Sequence, residues 1–216
     1  RCDMLDGVKD GLLENPTRCT FDPKEIECRS GSDGPNCLTA AQVEAVQKIY
    51  AGPTNPRTNE KVWSPLYRGS ELDWSFFSEA AAPIGIATSA LRMILNDPAW
   101  DYRTTPVDFD RHVALADRSE IARVNASNPD ISAYVQRGGK LILSGGWNNA
   151  LVPAGAVLDY YTSVEGRIGI EETQRGIRLY MVPGMIECNG GPGTDTFDML
   201  AVMRRWVERD QAPKEV

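Results

Sequence analysis

The sequence predicts an α/β fold: the closing strands and helices of a parallel sheet in the carboxyl-terminal part, preceded by a loop-rich region held by cross-links. Three observations predict it. A strand, loop, helix pattern occurs twice after residue 138; four of the five cysteines lie within the first 37 residues; and glycine or proline breaks every period before Leu38.

The two units come first. Lys140 to Leu143 is a short apolar run that ends in Gly145-Gly146, and a helical pattern follows Pro153 through Val157, Leu158 and Tyr161. Ile177 to Val182 is the second strand-like run, Pro183 to Gly193 a glycine-rich loop, and Asp195 to Arg209 an amphipathic helix presenting Phe197, Leu200 and Trp206. In open parallel sheets chemistry sits beyond the carboxyl ends of the strands, which singles out the loops 145–152 and 184–193.

Upstream, Thr39 is placed to cap a helix that runs to about Tyr50, with Val43, Val46, Ile49 and Tyr50 on one face and Gly52-Pro53 stopping it. An irregular stretch, 53–74, follows. Trp63, Tyr67, Trp74, Phe76 and Phe77 crowd together there and just beyond; they read as packing, with an apolar wall for an aromatic ligand as the sharper alternative. Helical patterns return over 86–95 and 110–124, and Asn125-Ala126-Ser127 is a glycosylation sequon that matters only in a eukaryotic host.

Composition excludes some partners. The 216 residues are 42% hydrophobic, enough for a sizeable core. The net charge of -7 is spread without a basic block, which disfavours nucleic acid. The most apolar stretch, 80–95, is cut by Pro83 and Gly85 and carries Arg92, so no membrane span is expected. Opening at Arg1-Cys2 without a basic and apolar leader is what a processed or cut chain would show.

Cys2, Cys19, Cys28 and Cys37 fall among Pro, Gly and Asp without a Cys-x-x-Cys pair or a nearby histidine, so they read as disulfide staples of a secreted or periplasmic protein, not as a zinc site. Cys188 is left over, as a free thiol or for a partner outside the chain. Asp3, Asp6 and Asp10, spaced by Gly7 and Gly11, form an all-oxygen donor set of the kind calcium takes; solvated turn carboxylates are the plain alternative.

Several of these segments together resemble the tannase and feruloyl esterase family of α/β hydrolases: Cys2 to Leu12, Cys37-Leu38-Thr39, Gly69-Ser70-Glu71-Leu72-Asp73-Trp74, Gly138 to Ile142, Ser144 to Pro153 and Met181 to Cys188. The resemblance covers the carboxyl-terminal portion of a family member. It implies a lid domain over 1–125 with disulfides Cys2 to Cys19 and Cys28 to Cys37, then the last part of the hydrolase core over 126–216. It implies calcium on the side chains of Asp3, Asp6 and Asp10 with the carbonyls of Val8 and Leu12. It also implies a partner for Cys188 beside the family's nucleophilic serine, which lies upstream of the lid.

The family's acid and histidine follow in the two strand-end loops. Where the family has Gly-Trp-Ala-Asp this chain has Gly146-Trp147-Asn148-Asn149, and where it has Gly-Met-Gly-His-Cys this chain has Gly184-Met185-Ile186-Glu187-Cys188. No Gly-x-Ser-x-Gly elbow occurs. The resemblance therefore implies an aromatic-ester hydrolase whose triad is not intact here, with Asn149 and Glu187 at the acid and histidine positions. Three readings follow: a fragment or degenerate relative inactive alone, one chain of a two-chain esterase joined through Cys188, or a calcium-stabilised module that binds phenolic esters. His112, the single histidine, reads as a helix-surface residue, and Ser144 as structural.

Overall fold

In a computed structural model, which describes residues 1–29, 33–75, 85–118 and 124–216, the two apolar runs pair as parallel strands, β1 (Leu141–Gly146) and β2 (Ile177–Val182). Between them the chain forms α5 (Ala154–Ile168) and the short α6 (Ile170–Gly176), the crossover that a parallel pair requires. Before them stand α1 (Ala40–Ala51), α2 (Gly85–Leu95), α3 (Phe109–Arg118) and α4 (Ser132–Gln136); after them comes α7 (Met199–Arg209).

Residues Arg1–Pro53, Trp63–Asp73 and Pro129–Val216 form one unit, and Thr54–Val62 with Trp74–Asn128 form another. Residues 1–53 and 63–73 thus group with the carboxyl-terminal part, and 74–128 with 54–62. Polar contacts account for this. Arg68 Nε donates to the Phe21 carbonyl at 2.6 Å, and Asn148 Nδ2 donates to the Gly69 carbonyl at 2.7 Å.

The core of the first unit is Val135, Val164 and Ile177, with Leu141, Leu143, Tyr134 and Tyr161 packed against them. Trp206 of α7 is buried beneath two cations, Lys140 Nζ at 5.2 Å and Arg178 Cζ at 5.1 Å from its ring centre. The helix begins at Met199, not at 195, because the Asp198 carboxylate accepts from the Ala201 amide at 2.9 Å and caps it there. Phe197 therefore precedes the helix. Leu200, expected inward, is 73% exposed, since at 3.6 residues per turn it lies nearly opposite the buried pair Val202 and Trp206.

Helix α1 has the expected cap. Thr39 Oγ1 accepts from the Gln42 amide, and Gln42 Oε1 accepts from the Thr39 amide at 2.8 Å. Gly52 ends it at φ 77°, with Pro65 so close that a Cβ would lie 3.0 Å from its Cα. The region before Thr39 has no regular element longer than the four-residue 3-10 turn Pro23–Ile26 among its described residues. Disulfides join Cys2 to Cys19 and Cys28 to Cys37, the pairing the resemblance implies, and Cys188 is an exposed free thiol.

In the second unit, Asp110 takes a bidentate grip from Arg57 at 2.7 and 2.9 Å and a bond from Asn55 Nδ2 at 2.6 Å. The Arg57 guanidinium, then the Asn55 amide, hold its carboxyl down at about 2. His112 is buried, 5% exposed, and not on the helix surface as expected. Its ring stands edge-on to Trp100 at 6.3 Å, and its Nδ1 accepts from the Asp108 amide. A local backbone donor thus serves the buried nitrogen, which removes much of the cost of taking an imidazole out of water. Of the aromatic run, Tyr67, in the first unit, packs against Trp147, and Phe76 and Phe77 lie outside the described residues.

Candidate functional site at two strand ends

The register that pairs Gly146 with Val182 brings the loops after β1 and β2 side by side. The Trp147 amide donates to the Val182 carbonyl at 2.9 Å, and the Asn148 amide to the Met185 carbonyl at 3.0 Å. Gly146 lies so close to the second loop that a Cβ there would meet the Met185 carbonyl oxygen at 2.1 Å. Only glycine allows that approach.

Asn149 and Glu187 meet in this joint. Asn149 is buried and donates from Nδ2 to Glu187 Oε2 at 2.7 Å. Its Oδ1 accepts from the Leu151 and Val152 amides, both at 2.9 Å. Glu187 is exposed. A neutral amide therefore donates to a carboxylate, and the unit that holds them contains no histidine. Ser144 lies on β1 opposite Tyr180, with no base of the imidazole type in its unit.

The sequence reading names two further residues without assigning them a role. Asn148 is buried and donates to the Gly69 carbonyl, and Asp73 Oδ2 accepts from the Ala150 amide at 3.0 Å. Both tie the β1 loop to the segment 63–73. Their sequence separations, 79 and 77, leave no local signal to read.

The second loop is shaped by its own backbone. The Ile186 amide donates to the Gly190 carbonyl at 3.1 Å, and the Gly190 amide donates to Asp195 Oδ2 at 2.7 Å. That backbone bond, then the Thr196 hydroxyl, lowers the Asp195 carboxyl below the ordinary aspartate range. Cys188, next to Glu187, is exposed on this loop.

In the amino-terminal acidic loop each of the three carboxylates takes a backbone amide. Asp3 Oδ1 accepts from the Gly11 amide at 2.7 Å, Asp6 Oδ1 from Val8 at 2.9 Å and Asp10 Oδ1 from Leu12 at 3.0 Å. Its donors are the oxygens that calcium takes. Among the described residues, however, no group of three or more His, Cys, Asp or Glu side chains converges so as to hold a metal. In this arrangement the carboxylates organise the loop by capping its amides.

The sequence profile described as tannase and feruloyl esterase matches residues 1–216. The chain belongs to the tannase and feruloyl esterase family. Among its relatives, an uncharacterized esterase of Xanthomonas campestris is 33% identical over 259 residues, covering 100% of this chain and 45% of that protein. A mono(2-hydroxyethyl) terephthalate hydrolase of Piscinibacter sakaiensis is 30% identical over 262 residues, covering 100% of this chain and 42% of that protein. The chain thus spans less than half the length of the curated relatives it matches.

Solved structures agree. The crystal structure of an esterase from Aspergillus oryzae superposes with a TM-score of 0.87 at 25% identity, covering 99% of this chain and 45% of that one. Feruloyl esterase B from the same organism gives 0.85 at 27% identity, covering 98% and 45%. The small parallel sheet and its helices are thus part of an α/β-hydrolase core of the tannase and feruloyl esterase type, as the sequence predicts.

Proposed function

We propose that the chain is part of a carboxylic ester hydrolase acting on aromatic or phenolic esters, and that alone it does not turn them over. The observation that carries this is the Asn149 to Glu187 hydrogen bond at the two positions that resemble the family's acid and histidine. A serine esterase needs an acid that accepts from an imidazole and an imidazole that accepts from the nucleophile. Here residue 149 is neutral and donates, while residue 187 is a carboxylate that accepts. Replacing the acid of such a triad by its amide typically costs about 10⁴ in kcat. The relatives support the substrate class, since a mono(2-hydroxyethyl) terephthalate hydrolase and a solved feruloyl esterase B are among them.

The test is an assay of the pure chain on galloyl, feruloyl and nitrophenyl esters, alone and with an amino-terminal half bearing a serine elbow. No serine-inhibitor-sensitive turnover by the chain alone is expected. Such turnover would overturn the reading.

The exposed thiol of Cys188 favours a second reading, in which the chain is joined by a disulfide to a partner that supplies the nucleophile. Intact mass of the native protein, with and without reductant, decides it. The two disulfides support an oxidising compartment, outside the cell or in a periplasm. The third reading, a calcium-stabilised module that binds phenolic esters without cleaving them, rests on the donor chemistry of the acidic loop. There the side chains of Asp3, Asp6 and Asp10 and the carbonyls of Val8 and Leu12 would hold the ion, which would supply bracing and no chemistry. An unchanged melting temperature on chelation would reject the calcium.

A further inference from the structure

We propose that Asn149 and Glu187 are a matched pair whose hydrogen-bond polarity is the reverse of an acid–histidine couple, so that neither position can be restored without the other. It rests on the reading of 149 and 187 as the altered acid and histidine positions.

The backbone decides the polarity. Both lone pairs of Asn149 Oδ1 are occupied by the Leu151 and Val152 amides, each at 2.9 Å. Rotating the amide by half a turn would set its NH2 group against two N–H donors and leave them unpaired in a buried place. The nitrogen is therefore held towards residue 187, where it stands 2.7 Å from Oε2. Position 187 must present an acceptor, and the Glu187 carboxylate oxygen does so. Asn149 is in this sense a positioning residue for Glu187.

Each single reversion then meets a mismatch. In Glu187→His the ring nitrogen that faces Asn149 has to accept, which leaves the proton on the other nitrogen, the one a nucleophile would need free. Charging that ring would also set N–H against N–H. In Asn149→Asp the new carboxylate keeps the two backbone donors but faces Glu187 across one hydrogen-bond distance, so the two acids share a proton instead of both ionising. Only the double change gives a residue 149 that accepts and a residue 187 that donates, with the outer ring nitrogen free.

Nitrogen-15 NMR of the imidazole in Glu187→His and in Asn149→Asp/Glu187→His, against the parent that contributes only His112, tests this on the intact chain. The expected result is opposite tautomers in the two variants, with the double variant holding its proton about 10- to 1,000-fold more tightly. The same tautomer and the same proton affinity in both would overturn the proposal. If Glu187→His does not fold, carbon-13 titration of the carboxyls in Asn149→Asp decides instead: one proton retained jointly by the pair supports it, and two independent ordinary titrations overturn it. Ester turnover by the parent would sink the functional reading and leave the pair's tautomers as expected, so the two failures are distinguishable.

Discussion

The region before Thr39 and the region from Pro129 onward belong to one unit, yet they are ordered by different means. In the first, only Pro16, Cys19 and Pro23 are buried among the described residues, and order comes from two disulfides and from the capping side chains of Asn15 and Asp22. In the second, Val164, Ile177 and Trp206 are nearly or wholly out of water and no cross-link is present. The contrast teaches where each kind of perturbation will act: removing apolar volume in the strand and helix region, and removing covalent or capping constraints in the lobe.

The largest expected effect is in the second region. Trp206→Ala removes the side chain under Lys140 and Arg178 and should cost about 3–5 kcal/mol, read as the shift in a urea unfolding midpoint. A loss below about 1 kcal/mol would show that α7 does not depend on burial, which would break the comparison. Next is the lobe. Opening Cys2–Cys19, whose ends are 17 residues apart, by Cys2→Ser/Cys19→Ser should cost about 3 kcal/mol by the chain-entropy estimate. Amide exchange should accelerate before Thr39 far more than in β1 and β2; equal acceleration in both would mean that the lobe and the sheet open together.

Two smaller changes sharpen the contrast. Thr39→Ala removes half of the capping box at the junction after the lobe and should cost about 1 kcal/mol, with faster exchange confined to the first turn of α1. The smallest effect is acid sensitivity at Asp22. Its carboxyl is lowered from the ordinary 3.8, first by the Lys24 amide and then by the Gln47 side chain. A depressed folded value means stability that is present above the unfolded value and lost as pH falls through the folded one. Acidification below about 4 should therefore loosen the turn at 23–26 in the parent and less so in Asp22→Asn, as followed by exchange-sensitive NMR of the Lys24 amide; identical acid limbs would remove the carboxylate from the account.

Much of this was legible in the residues. Runs of apolar residues ending in glycine marked β1 and β2, Thr39 with Gln42 marked the start of α1, and four cysteines among Pro and Gly marked a stapled lobe. These signals are local, because a strand end, a cap or a turn is set by a few neighbouring residues. The short helices α4 and α6, five and seven residues long, carry too little period to be read in that way.

The sequence by itself determined the α/β class, the stapled lobe, the two loops of the candidate site and the presence of an amide and a carboxylate at positions 149 and 187. Tertiary structure alone decided that His112 is buried against Trp100, that Leu200 faces outward, and that Gly69 and Asp73 reach the β1 loop from far away in the chain. It also decided that Asn149 turns its nitrogen, not its oxygen, toward Glu187. The physical reason is common to all four. A side chain's neighbours and the direction of its hydrogen bonds depend on which backbone groups the fold brings to it, and a linear pattern records only what the chain places next to itself.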